Sequence, residues 1–68
     1  MKLSARNVLK GKITAIKEGQ VTASVKLDVG SNQHITAVIS LEAVKDLSLK
    51  VGDEVSAIIK ATEVMIGK

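Results

Sequence analysis

The sequence predicts an all-β fold, a small barrel carrying one short helix, on three observations. Apolar and polar residues alternate with a period of two over most of the 68 residues. Short clusters containing Gly, Ser, Asn or Asp separate the alternating runs. The period switches to helical spacing once, after Ser40. No linker, low-complexity stretch or internal repeat divides the chain, so residues 1–68 read as one domain.

Residues 8–16 alternate loosely, with Leu9, Gly11, Ile13 and Ala15 on one side and Lys10, Lys12 and Thr14 on the other, as in a half-buried strand. Lys17-Glu18-Gly19-Gln20 breaks the run as a turn. Residues 21–29 then give the cleanest alternation in the chain, Val21, Ala23, Val25, Leu27 and Val29 against Thr22, Ser24, Lys26 and Asp28. Gly30-Ser31-Asn32 is a second turn signal, and Ile35, Ala37 and Ile39 against His34, Thr36, Val38 and Ser40 make a third strand. These three strands predict an antiparallel meander. Leu41, Val44 and Leu47 continue at helical spacing, Ser40 is a fitting N-cap and Glu42 lies in the first turn, where the helix dipole favours an anion; this predicts a helix of about two turns. After a turn at Lys50-Val51-Gly52-Asp53-Glu54, Val55, Ala57 and Ile59 against Ser56, Ile58 and Lys60 form a fourth strand, and residues 63–66 read as a short fifth. That is the element order of a five-stranded, partly open barrel of the OB type, with its helix between strands three and four. An SH3-like barrel has almost as many strands but normally lacks that helix.

A chain of this length buries only about 60% of its unfolded surface, and small domains compensate with disulfides, a structural metal or association. There is no Cys, and the single His34 cannot make a Cys/His zinc site. Association remains, and a homo-oligomer is expected. The core lacks Phe, Tyr and Trp and must be built from Val, Ile, Leu, Ala and Met; with 46% hydrophobic residues, part of the apolar surface is expected between subunits. Met1 and Met65 read as filler. Ten Lys and Arg against seven Asp and Glu give a net charge of +3, which accumulates with each copy and favours anions. No apolar run reaches the ~18 residues of a membrane span and the N-terminus has no signal-peptide core, so a cytoplasmic protein without a membrane partner is expected.

Two short segments carry the candidate chemistry. Ser4-Ala5-Arg6-Asn7 sets a hydroxyl, a guanidinium and a carboxamide side by side, all able to donate to an anion, and Lys60-Ala61-Thr62 repeats the theme with an ammonium and a hydroxyl. Brought together, the two ends make a pocket for an oxyanion. The plainer reading treats Arg6 and Lys60 as solvated charges at strand ends, Ser4 and Thr62 as strand-edge hydroxyls, His34 as an exposed strand residue and the Lys10/Lys12 pair as surface. Catalysis is not expected: no Cys nucleophile exists, and Asp28, Asp46, Asp53, Glu42 and Glu54 fall on turns, strand exteriors or the helix surface without paired spacing. The rival function is a single-stranded nucleic-acid module, since OB barrels bind oligonucleotides and the chain is basic. Such sites draw about 1–3 kcal/mol per base from aromatic stacking, and with no aromatic residue here no nucleic-acid partner is expected.

Residues 4–13 at the start, Gly19-Gln20-Val21 in the first turn and residues 57–65 at the end closely resemble the molbindins, small molybdate-binding Mop proteins whose fold also occurs as the TOBE domain of molybdate-transporter ATPases and regulators. The resemblance covers essentially the whole chain, and the paired start and end motifs are specific together. It implies an OB-like barrel, a hexamer built as a trimer of dimers, and molybdate or tungstate at subunit interfaces, with no organic cofactor and no residues ligating a bare metal cation. On that pattern Ser4 and Thr62 donate hydroxyls, Lys60 supplies charge, and backbone N–H groups near Ala5, Arg6 and Ala61 complete the shell. A second kind of oxyanion site, on symmetry axes, falls on Gly19, Gln20 and Val21. A chain of 68 residues without a DNA-binding or ATPase domain then points to storage or homeostasis of the ion. A tetrahedral dianion wants donors and no carboxylates, and selection against the smaller sulfate is expected from cavity size.

Overall fold

In a computed structural model describing residues 2–68, the alternating runs become strands because each offers one apolar face to a shared interior. Met1 lies outside the described residues. The order is β1 (Asn7–Glu18), β2 (Thr22–Gly30), β3 (Gln33–Ser40), α1 (Leu41–Asp46) and β4 (Glu54–Ile59), with a 3-10 turn over Ala61–Glu63 after the last strand. All strand pairs are antiparallel, in a four-stranded sheet of order β3-β2-β1-β4. Ala23, Val25 and Leu27 of β2, Ile13 of β1 and Val44 of α1 form the buried core, and Ile35, Ile39, Val55 and Ala57 pack against it half-buried.

Strand β1 departs from a simple alternation. The β1–β2 register slips between Ile13 and Ala15, a β-bulge at Thr14. Past the bulge the facing of the strand is reversed: Ala15, expected on the core side, is exposed, whereas Ile16 turns inward against the core. Ile13 sits where the strand bends and bonds the loop before β4 through both its backbone groups, its N–H donating to the Asp53 carbonyl at 2.9 Å and its carbonyl accepting from the Gly52 N–H at 2.8 Å. Gly52 holds φ +97°, a conformation that favours glycine.

Val21, expected to open the second strand on its core side, lies instead in the β1–β2 loop and is exposed, its carbonyl accepting from the Leu41 N–H at 2.9 Å. Helix α1 is capped by Ser40, whose Oγ accepts from the Ala43 N–H at 3.0 Å. It has the expected length of about two turns, with Leu47 as its exposed C-cap, its N–H donating to the Ala43 carbonyl at 3.0 Å, and Ser48 following at a left-handed φ of 52°.

The expected fifth strand is not formed among the described residues, and the curled sheet has four strands rather than five. After Ile59 the chain enters the 3-10 turn, in which the Glu63 N–H donates to the Lys60 carbonyl and the Val64 N–H to that of Ala61. This carries residues 64–68 off the sheet, where they meet no strand edge to pair with. Strands β3 and β4 are left as the two sheet edges, and their inward residues, Ile35, Ala37 and Ile39 opposite Val55, Ala57 and Ile59, line an apolar slot of about 360 Å³.

Candidate functional site

The first donor segment precedes β1 and the second comes after β4, so the pairing of those two strands decides whether the segments meet. Asn7 pairs with Ile59 as the outermost rung of the β1–β4 ladder. Arg6 and Lys60 are the next residue along each chain, and both segments therefore sit at the same end of the sheet. The Asn7 carboxamide reinforces the rung, Nδ2 donating to the Ile59 carbonyl at 3.2 Å across 52 residues of sequence. Arg6, Asn7, Val8, Leu9, Ile59 and Val64 line a hollow of about 350 Å³ at this end.

Ser4, Arg6, Lys60, Ala61 and Thr62 are exposed and Ala5 is half-buried. Of these, Arg6 alone lines the hollow; Ser4, Ala5, Lys60, Ala61 and Thr62 are not among its lining residues. The 3-10 turn uses the N–H groups of Glu63 and Val64 in its own two bonds, so those of Ala61 and Thr62 lie outside that ladder. Sequence reasoning misses Glu63, a carboxylate in the same turn as Thr62. Because Glu63 is exposed, water and salt screen its charge. Asn7 is adjacent to the donors in the sequence, yet its bond across the chain ends leaves no mark in composition or spacing.

Gly19, Gln20 and Val21 occupy the β1–β2 loop, at the far end of β1 from Ser4 and Lys60. The Gly19 N–H donates to the Thr22 carbonyl at 2.8 Å, and all three residues are exposed. Within one chain this loop and the Ser4 and Lys60 segments therefore lie at opposite ends of β1. Among the described residues no cluster of His, Cys, Asp or Glu could hold a metal ion, and no helix is long and apolar enough to cross a membrane.

Residues 3–66 match the TOBE domain model. A probable molybdenum-pterin-binding protein of Haemophilus influenzae is 54% identical over 67 residues, 98% of this chain and 97% of that protein. A molybdate-binding protein from Sporomusa ovata superposes with a TM-score of 0.94 at 38% identity, over 100% of both chains. The cytoplasmic molybdate-binding protein ModG, solved with molybdate bound, superposes with a TM-score of 0.91 at 43% identity, over 96% of this chain and 46% of that one.

Proposed function

Since the chain belongs to the TOBE-domain family and, within it, to the Mop group of molybdenum-pterin-binding proteins, we propose that it binds molybdate, and tungstate in the same manner, as a passive intracellular store without catalysis. The observation that carries this reading is the Asn7–Ile59 rung, which puts Ser4-Ala5-Arg6 and Lys60-Ala61-Thr62 at one end of the sheet. Ser4 and Thr62 donate hydroxyls, Lys60 supplies a positive charge, and backbone N–H groups of Ala5, Arg6 and Ala61 complete the shell. Donors fixed by backbone spend little ordering entropy on the ion. No organic cofactor takes part. A second site at Gly19, Gln20 and Val21 uses the loop backbone.

The binding unit is a homo-oligomer, a hexamer arranged as a trimer of dimers, with the main sites between subunits. Two features support association. The slot between the β3 and β4 edges is apolar and one strand short, and Met65 and Ile66 of the C-terminal tail are 92% and 91% exposed. A tail of this composition from another copy supplies the missing strand. A cytoplasmic location agrees with the description of ModG. Equilibrium dialysis against molybdate with elemental analysis tests the function, reporting ion identity and stoichiometry together. At least one ion per chain, retained against excess sulfate, is expected; less than one, or no preference over sulfate, refutes the reading.

A further inference from the structure

We infer that Asn7 is a positioning residue for the oxyanion site, clamping the segment that carries Ser4 and Arg6 to the one that carries Lys60 and Thr62. This rests on the reading that those segments bind the ion. Asparagine is a poor strand residue, depleted where β-branched and aromatic side chains are favoured, and yet it occupies the first position of β1, ahead of Val8 and Leu9. Its gain there is the part-buried bond from Nδ2 to the Ile59 carbonyl. Among the described residues no other side-chain hydrogen bond spans so much of the chain; the others join residues at most 12 apart.

The location gives the bond its role. Beyond this rung the ladder stops, with irregular chain before Asn7 and the 3-10 turn after Lys60. The side chains that would meet the ion are exposed, so their spacing is set by the backbone that carries them. Asn7 is the side chain that ties those two backbones together at the point where they part. In a site shared between subunits each copy presents its two segments from this end of its sheet, so a loosened rung lets the donors that copy contributes shift, and a site that tells molybdate from sulfate by size loses that discrimination first.

The test compares the full-length native chain with Asn7→Leu, which keeps the size and removes the donor, and with Asn7→Ala, which keeps the position open should the leucine impair folding. Thr14→Val serves as control: it deletes the 3.3 Å bond from Thr14 Oγ1 to the Lys26 carbonyl in the same sheet, away from the site. Molybdate and sulfate dissociation constants are measured by calorimetry, alongside urea midpoints. The expected result is molybdate binding weaker by about tenfold in both Asn7 variants, the size of one lost hydrogen bond, with sulfate binding changed less than about twofold, so that selectivity falls. Thr14→Val should lower the urea midpoint and leave selectivity intact. Selectivity at the native value in a folded Asn7 variant overturns the role of Asn7 while native molybdate binding leaves the functional reading standing; a native chain that takes up no molybdate overturns both.

Discussion

At Gly11 a side chain would be crowded. A Cβ there would stand 3.0 Å from the Asp28 carbonyl oxygen and 3.0 Å from Val29 Cγ1, at the end of the β1–β2 ladder, one residue beyond the Lys12–Asp28 pair. The backbone oxygen cannot step aside without disturbing the ladder, so Gly11→Ala is expected to destabilise the fold by about 1–3 kcal/mol, read from urea unfolding. The donors behave oppositely. Lys60→Ala should leave the urea midpoint nearly unchanged, because the side chain is exposed, and weaken molybdate binding by about tenfold or more, as expected for a charge-assisted bond. Thr62→Val should lose several-fold with the fold intact; normal binding by both variants in dialysis would move the site elsewhere. Most inward residues are legible in the sequence, Ala23, Val25 and Leu27 above all, because alternation alone assigns them. Ala15 is not, since a bulge adds a residue without any change in composition that marks it.

Helix α1 has only six residues, too few to stand without its cap and its one buried residue, Val44. Ser40→Ala removes the acceptor for the Ala43 N–H and is expected to cost about 1 kcal/mol, measured as a lower urea midpoint with molybdate affinity unchanged at the Ser4 and Lys60 segments, because the helix starts at the opposite end of the sheet, beside the Val21 loop. The start of this helix is legible in Ser40 and Glu42 and its length in the apolar spacing, but the exposure of Leu47 is not, because that spacing assigns the C-cap residue to the inner face. The last element misleads for a related reason. Val64-Met65-Ile66 has the composition of a strand, but a strand needs an edge to pair with, and the turn at Ala61–Glu63 directs this one away from both edges of its own sheet.

The molecule as a whole has a small core, with Ile13, Ala23, Val25, Leu27 and Val44 buried, while Val21, Val38, Leu47, Val51, Met65 and Ile66 remain largely exposed. The lack of aromatic and cysteine residues points to association from composition alone, whereas the number of copies has no trace in composition and rests on family resemblance. Removing residues 64–68 is expected to shift sedimentation from an assembly towards the 7.1 kDa chain and to lower molybdate binding with it; an unchanged sedimentation coefficient would separate the tail from assembly. In the proposed assembly, a tail that enters the next copy's slot does not by itself determine where the series stops. Reciprocal exchange closes on itself, whereas a handover to a third molecule closes as a ring only if the rotation between copies allows it and otherwise continues as a fibre. The angle set by the three residues Ala61–Glu63 then separates a finite particle from an endless one, and an insertion at that hinge should yield filaments visible by electron microscopy.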